Sequence, residues 1–380
     1  MSTIQAPLIW SALALSATLS FVRPRYNAPL DYSEALIQAP LAFSGGASAP
    51  INTTSPVITG DVAGGEVLTC SEGAWVGAVS YAYQWALDGV PIIGADTSTL
   101  AVQPEYIKSE VSCTVTASNA SGSTAVSAAP VSSPLLPLYV IDPDVAVWVH
   151  DQGISTGVGA AVALWTSACG AYELSQTQTI RQPLRTASGL FLDGLDDCLY
   201  ANALAARFDA AHTVLINISG LPTSNDIRTL FGSAQTSVST TVRSNVSVNL
   251  SEGTSALATR MRYLLAGTSS AVQNLLTSLW GRGASYQFNL AFRTDQPGAP
   301  GATGGALELL DPLVSISSGA WPAYAATSDL LTLGALRLSS LSAPGYHTEG
   351  TIKFFIVFTS KLSDAQLITA RTALINAGLI

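Results

Sequence analysis

The sequence predicts an all-β protein, and three observations support this prediction. Charged residues make up only 11% of the chain and hydrophobic residues 48%, which suits β-sandwiches with small-residue surfaces better than helical bundles. Several segments alternate apolar and polar residues with a period of two, as half-buried strands do. One helical pattern closes the chain. At 380 residues, we expect about two to three domains.

Residues 1–49 are predicted to form an extended arm, because internal prolines interrupt a segment that is too short to bury a core. The pentapeptide IQAPL occurs twice, at 4–8 and 37–41, and an aromatic residue follows each copy. Each copy suits docking into a groove or along a sheet edge of a neighbouring subunit; chance duplication is the alternative. The predicted assembly anchors are Ile4, Pro7, Trp10, Ile37, Pro40 and Phe43.

The apolar stretch 6–21 has 16 residues, which is short for a bilayer span of about 20 residues. The basic residues Arg23 and Arg25 follow this stretch, whereas a signal peptide carries its positive charge in front. We therefore expect no membrane span, and an assembly-bound arm rather than a signal peptide.

Residues 50–131 are predicted to form the first sandwich domain. Segment 111–119 alternates apolar and polar residues, and segment 80–89 does the same before a turn at Asp88-Gly89. Both segments are therefore predicted to be half-buried strands.

The spacing of cysteine and tryptophan adds a family resemblance to this domain. Cys70 lies 15 residues before Trp85, and Cys113 lies 28 residues after it. This pattern is the signature of an immunoglobulin sandwich. The stretches YQWALDGVPIIGADTSTLAV and CTVTASNASGS resemble bacterial and phage Ig-like domains. The family has a tyrosine two residues before the second cysteine. Val111 occupies that position here, so the sequence departs from the family at this point.

The pattern leaves the redox state of Cys70 and Cys113 open. A disulfide between them would close a loop of 42 residues (71–112) and stabilise the fold by about 3–4 kcal/mol. Two reduced thiols packed against Trp85 fit the pattern equally well, and a cytoplasmic protein would hold them in that state. The redox state of the other two cysteines is also left undecided.

Residues 132–137 are predicted to be a stiff, extended, Pro-rich linker. Residues 138–380 are predicted to form a second β-domain, with strand-like segments at 212–220, 284–292 and 351–360.

A short helix is predicted at the C-terminal end. Ser363 and Gln366 have the spacing of a capping box, and Gly378 can end the helix. The predicted apolar stripe consists of Leu367, Ala370, Leu374 and Ile375.

The second domain also resembles a known family. The stretches AVWVHDQGIS (146–155), VALWTSACG (162–170) and QPLRTASGLFLDGLDDCLYA (182–201) resemble the opening strands of concanavalin A-like, or laminin-G-like, jelly rolls. Segments 331–340 and 350–366 match the closing strands of that family. The resemblance implies a lectin or glucanase fold for this domain.

The decapeptide FLDGLDDCLY (191–200) corresponds to a hairpin of that family. We expect Gly194 to supply the positive φ of a tight turn, and Phe191 and Leu199 to anchor the flanking strands in the core. Calcium binding is the alternative, since hard cations want several convergent oxygens. The Glu-x-Asp-x-x-Glu strand of catalytic members is missing, so no catalytic residue is predicted. The carboxylates concerned are Asp193, Asp196 and Asp197.

Two loops of the second domain are candidate carbohydrate sites, because saccharide sites pair aromatic faces with a few oriented polar groups. The loops span 319–329 and 343–350, and packing at strand ends is the alternative reason for their aromatic residues. The candidate binding residues are Trp321, Tyr324, Tyr346 and His347.

Charge and motifs exclude several functions. A net charge of −9 without a basic run disfavours nucleic acid. Neither a phosphate loop nor an HExxH motif is present, so we expect no cofactor unless calcium binds the aspartates.

An Ig-like module followed by a lectin-like module is a layout for surface adhesion. Such modules usually work outside cells, and a phage protein made in the host cytoplasm and released by lysis needs no export signal. We therefore expect a non-enzymatic, multi-copy virion surface protein, either a capsid decoration or a tail appendage. Its expected partners are other virion proteins, through the arm, and a host-surface glycan. The alternatives are a secreted bacterial adhesin or polysaccharide-binding protein, and a glycan-cleaving enzyme of the same fold.

Overall fold

The computed structural model divides the chain into two units, Met1–Gly46 and Ala47–Ile380. The structure describes residues 48–201, 203–220, 228–234, 246–252, 259–265, 272–276, 287–295, 305–311, 313–319, 330–335 and 347–380. The arm stays a prediction, because its anchors lie outside the described residues: Ile4, Pro7, Trp10, Ile37, Pro40 and Phe43. Within the described ranges, no helix is long and apolar enough to cross a bilayer.

The first sandwich is built from short antiparallel strands. They are β1 (Ile51–Thr54), β2 (Ile58–Thr59), β3 (Val67–Cys70), β4 (Ala74–Val76), β5 (Ser80–Leu87), β6 (Val90–Pro91), β7 (Thr99–Ala101), β8 (Glu110–Asn119), β9 (Gly122–Ser127) and β10 (Val131–Ser132). One layer has the order β2-β3-β7. The facing layer has the order β10-β8-β5-β6, with β9 also paired to β8, while β1 and β4 form a separate pair.

The predicted alternation produces the core of this sandwich. In β8, Val111 and Cys113 point inward and are fully buried. They pack with Cys70 from the opposite layer and with Trp85, whose indole Nε1 donates to Thr97 O at 2.8 Å. Both cysteines are free thiols in the structure, as are the other two cysteines of the chain. The disulfide between Cys70 and Cys113 stays a prediction.

The junction between the domains differs from the extended linker predicted for 132–137. Residues Val131–Ser132 pair with β8, and helix α1 spans Leu136–Ile141. Ser133 and Leu135 between them are both buried, and Ser133 Oγ accepts a hydrogen bond from Leu135 N at 3.2 Å. The prolines do not prevent this packing, because a proline in the first helical turn lacks only an amide that would be unpaired there.

The first sandwich packs directly against the second. Ile107, in the 3-10 turn Pro104–Lys108, is fully buried in a cluster that otherwise belongs to the second domain. The ammonium of Lys108 donates to Pro143 O at 3.2 Å and lies 5.2 Å from the ring centre of Tyr139. The junction is therefore a packed interface.

The second sandwich contains longer strands in two sheets. Its described strands are β11 (Ala146–Val149), β12 (Leu164–Thr166), β13 (Glu173–Ser175), β14 (Leu184–Arg185), β15 (Leu190–Asp193), β16 (Leu199–Ala201), β17 (His212–Ser219), β18 (Arg228–Ala234), β19 (Val246–Glu252), β20 (Thr259–Leu265), β21 (Val272–Leu276), β22 (Gln287–Thr294), β23 (Gly305–Leu310), β24 (Leu313–Gly319), β25 (Leu330–Leu333), β26 (Glu349–Ile352) and β27 (Phe354–Phe358). One sheet has the order β14-β15-β26-β17-β22-β23-β24, with β27 joining β11 to β17. The other has the order β12-β13-β16-β25-β18-β19-β20-β21.

Strand β17 shows how the layers stack. Val214, Ile216 and Ile218 point into the core between the two sheets. Leu215 points the other way, into a second apolar layer formed with α1 and the C-terminal helix. Both faces of the sheet are therefore covered at β17, which explains why every residue from His212 to Ile218 is buried. The predicted all-β class is confirmed.

The C-terminal helix α2 spans Asp364–Asn376 and has the predicted capping box. Gln366 N donates to Ser363 Oγ at 3.3 Å, and Ser363 N donates to Gln366 Oε1 at 2.9 Å. Gly378 follows with a φ of +66°. The predicted stripe is wrong at Ile375, which is 40% exposed, while Ala373 is buried in its place.

Candidate functional site

The aspartate-rich decapeptide connects the two sheets of the second sandwich. Strand β15 pairs with β14 and β26 in one sheet, whereas β16 pairs with β13 and β25 in the other. The predicted hairpin is therefore wrong, because β15 and β16 do not pair with each other. The turn between them, with Gly194 at a φ of +77°, carries the chain across one end of the core.

The aspartates bind the amides of this turn. Asp193 Oδ1 accepts from Leu195 N at 2.8 Å and from Asp196 N at 3.4 Å. Asp197 Oδ2 accepts from Asp193 N at 2.8 Å. These bonds pair backbone N–H groups near the core. An unpaired donor there would lower the stability of the fold.

The core residues flanking the turn differ in part from those predicted. Leu199 is fully buried as expected, but Phe191 is only half-buried, and Leu190 and Leu192 point inward instead. Gly334 packs closely against this strand, with a φ of +85° and no room for a side chain beside Leu192. The turn is therefore built against a closely packed part of the core.

Burial sets the protonation behaviour of Asp197. Desolvation raises the pKa of this carboxyl to about 6, and the charges of Asp193 and Asp196 act in the same direction. The bond from Asp193 N and the proximity of His347 oppose the rise. Asp197 therefore takes up a proton at a higher pH than an ordinary aspartate does.

The same three carboxylates form the metal candidate. One oxygen from each of Asp193, Asp196 and Asp197 lies within 4.8 Å of the others. Hard cations accept such oxygens, but two of these side chains already accept backbone hydrogen bonds. Calcium binding therefore stays a prediction.

The predicted carbohydrate residues are not brought together within the described chain. Trp321, Tyr324 and Tyr346 lie outside the described residues. His347 is only 8% exposed, and its Nδ1 lies 3.3 Å from Asp197 O. The imidazole is thus part of the packing around the turn, not an exposed group on a loop.

The structure shows a different candidate site, a cleft between the two sandwiches that sequence analysis did not predict. Four separate segments line this cleft of about 290 Å³. The lining residues are Asp61, Val62, Ala63, Ser133, Pro134, Leu135, Val149, Asp151, Gln152, Asn376, Ala377 and Leu379. No local pattern could have indicated it, because its walls come from the first domain, the junction, the end of β11 and the end of α2.

The lining combines polar groups with an aliphatic surface. Asp61, Asp151 and Asn376 are exposed, and none of these side chains has a hydrogen bond or ion pair in the described part of the chain. Leu135 and Val149 are almost completely buried and form part of the apolar surface. The cleft therefore offers carboxylate and amide groups beside aliphatic carbon.

Backbone contacts hold the walls of the cleft in place. Asp61 O accepts from Ala63 N at 3.0 Å, and Val149 O accepts from Gln152 N at 3.1 Å. Gln152 O in turn accepts from the indole of Trp165 at 3.1 Å. At the end of α2, Leu379 N donates to Leu374 O at 2.9 Å. These hydrogen bonds fix the backbone of three of the four lining segments.

His150 precedes the cleft residues that follow β11. Desolvation lowers the pKa of His150; Asp151 opposes this effect, and Lys353 and Arg185 add to it. Its Nδ1 is buried without a hydrogen-bond partner in the described chain. The imidazole is therefore neutral at pH 7 and contributes no positive charge beside the cleft.

Comparisons with known proteins show no family. No protein-family model matches the chain, and no curated protein matches it. Among solved structures, a Trypanosoma rangeli sialidase in complex with sialic acid is 10% identical, with a TM-score of 0.44. The alignment covers 85% of this chain and 53% of that one, so the chain spans about half the length of the sialidase.

A carbohydrate-binding module is a second similar structure. The CBM40 domain of Ruminococcus gnavus IT-sialidase, bound to α2,3-sialyllactose, is 18% identical with a TM-score of 0.34. That alignment covers 44% of this chain and 86% of the module. Likeness at this level concerns the β-sandwich fold and assigns no activity.

These comparisons correct one prediction from the sequence. The prediction that the chain is not an enzyme is contradicted, because several neighbours are named as sialidases, and it is withdrawn. The structures named here include no phage or virion protein.

Proposed function

We propose that this protein recognises glycans and that the cleft between its two sandwiches is a recognition site. The observation that carries the proposal is the lining of the cleft, in which Asp61, Asp151, Gln152 and Asn376 surround buried aliphatic side chains. The two similar structures described above also contain glycans, namely sialic acid and α2,3-sialyllactose.

The chemistry of a sugar fits this lining. Hydroxyl groups donate to carboxylates, and side-chain amides both donate and accept. The C–H face of a pyranose ring can lie on Pro134, an exposed residue of the lining. The volume of about 290 Å³ is close to the lower end of the range for small-molecule sites, about 300–1,000 Å³, so one or two sugar residues fit.

A glycan array with the full chain tests this function. Wild-type protein should bind a defined set of glycans, and the double variant Asp61→Asn, Asp151→Asn should change which glycans bind or how tightly. The matched control is Asp96→Asn, because Asp96 is also exposed on the first sandwich but is not part of the cleft. An array without any bound glycan would refute the proposal, and so would equal effects of the control and the double variant.

The setting proposed from the sequence is display on a phage particle. Residues 1–49, with the repeated pentapeptide, would bind other virion proteins, and the second sandwich (138–380) would face outward. A secreted bacterial adhesin or polysaccharide-binding protein is the alternative setting. Deletion of residues 1–45 should abolish incorporation into the particle and leave both sandwiches folded. Normal occupancy of the truncated protein would argue against the anchor.

Glycan cleavage is a second candidate function, and the aspartate cluster favours it. Glycosidases pair one carboxyl of raised pKa with one that stays ionised, and Asp197 has a raised pKa beside Asp193 and Asp196. Hydrolysis of fluorogenic glycosides, including sialosides, tests this candidate directly. Activity that is lost in Asp197→Asn but retained in Asp96→Asn would support it, and activity that survives Asp197→Asn would exclude this cluster.

A further inference from the structure

We propose that the cleft between the sandwiches selects uncharged or cationic saccharides and rejects anionic ones. This inference rests on the proposed glycan-binding function and names the ligand class for the same site.

The charges on the cleft walls all have one sign. Asp61 belongs to the first sandwich and Asp151 to the second, so the carboxylates approach the cleft from different domains. The lining residues in the described chain include no lysine, arginine or histidine. A ligand in the cleft therefore lies near two negative charges and no positive lining group.

Two cations lie in the neighbourhood of His150, and the Lys353 ammonium reaches the edge of the cleft, because Gly378 stands between the lining residues Ala377 and Leu379. Lys353 Nζ donates to Gly378 O at 2.7 Å. Arg185 Nη1 donates to Ile154 O at 3.1 Å and to Thr156 O at 2.6 Å. Neither cation is in contact with the carboxylates of the lining, and the adjacent imidazole is neutral at pH 7 because its burial lowers its pKa.

Ligand charge therefore decides binding in two ways. A sugar hydroxyl can donate to Asp61 or Asp151, whereas a sugar carboxylate or sulfate would place a like charge beside them. Both carboxylates are exposed, so water and salt screen this repulsion and its size is moderate. The two carboxylates thus reject anionic saccharides by repulsion, and neutral saccharides need no tighter contacts to be preferred.

The surrounding field acts in the same direction. The chain has a net charge of −9, and such a field slows the approach of anions. Salt screens this long-range part over about 8 Å at physiological ionic strength. The discrimination between neutral and anionic ligands should therefore weaken as ionic strength rises.

Matched ligands separate this inference from the proposed function. An array with the full chain would compare lactose, 3′-sialyllactose, 3′-sulfolactose and a galactosamine-terminated disaccharide, together with a broad set of other neutral and acidic pairs. At low salt, we expect neutral and cationic members to bind with at least about tenfold higher affinity than their anionic counterparts. Repulsion of the anionic members by two nearby carboxylates implies this ratio.

The variants then assign the preference to the carboxylates. In the double variant Asp61→Asn, Asp151→Asn, the ratio of neutral to anionic binding should fall towards one, while Asp96→Asn should keep the wild-type ratio. Tighter binding of the anionic members would overturn the inference but leave glycan recognition intact. So would a preference that the double variant does not change. A chain that binds no glycan on the array would overturn both.

Discussion

Arg293→Met is expected to destabilise the second sandwich strongly, because it breaks a buried ion pair. Arg293 Nε and Nη2 donate to the two carboxylate oxygens of Glu308 at 2.7 and 2.6 Å. Arg293 is 8% and Glu308 6% exposed. Arg293 Nη1 also donates to Leu362 O at 2.9 Å and to Asp364 Oδ1 at 2.7 Å, which ties the start of α2 to the sheet.

The magnitude follows from burial. Loss of the guanidinium leaves Glu308 buried without its partner, and breaking such a pair costs about 3–5 kcal/mol. The side chain of Asp364 is 86% exposed, so its ion pair adds no more than about 0–1 kcal/mol. We therefore expect the free energy of unfolding to fall by about 3–5 kcal/mol.

Urea unfolding followed by tryptophan fluorescence measures this loss. The double variant Arg293→Met, Glu308→Leu removes both charges and should cost much less than the single variant, since an apolar pair of similar size is often neutral. Lys361→Met is the control, because its ion pair with Asp295 is partly exposed and should be worth less than about 1 kcal/mol. The reasoning is refuted if the single variant costs no more than the control, or if the double variant is as unstable as the single one.

Three further predictions concern pH, thiols and a glycine. Burial raises the pKa of Asp197 to about 6 and lowers that of His212 to about 4. The contribution of Asp197 to stability is therefore lost as pH rises from about 4 to 6, whereas that of His212 is lost as pH falls from about 6.5 to 4. In the wild type, the stability gained at Asp197 on acidification partly offsets the stability lost at His212. Asp197→Asn removes the gain, so the melting temperature of the variant should fall more steeply below pH 6.5; parallel curves would contradict this. Burial raises the pKa of Cys113 to about 12, so iodoacetamide should modify the first-sandwich thiols only after unfolding, and rapid native labelling would argue against a buried thiol. Gly334→Ala should cost roughly 1–3 kcal/mol more than Gly159→Ala, because both glycines have positive φ but only Gly334 lacks space for a methyl group; thermal unfolding that ranks the two equally would contradict this.

Much of the fold could be predicted because its signals are local. The period-two pattern around Cys113 and the strand containing Trp85 indicated half-buried strands, and both strands form. The capping box at Ser363 was readable from two residues three positions apart. Predictions of burial were wrong where a sequence pattern was compatible with either a buried or an exposed side chain. Ile375 continues a helical stripe in sequence but is exposed, because the sheet beneath α2 covers only part of the helix circumference.

The sequence by itself determined the all-β class, the alternation within strands and the start and end of α2, since these depend on neighbours within a few residues. Only the tertiary structure decided that β15 and β16 belong to different sheets, because their partners β26 and β25 lie at least 130 positions later. It also decided that Asp61 and Asp151 share one cleft. The two residues lie across an interface in which Ile107 of the first sandwich is buried among residues of the second. Such burial depends on the complementary shape of two folded surfaces, which no short stretch of sequence encodes.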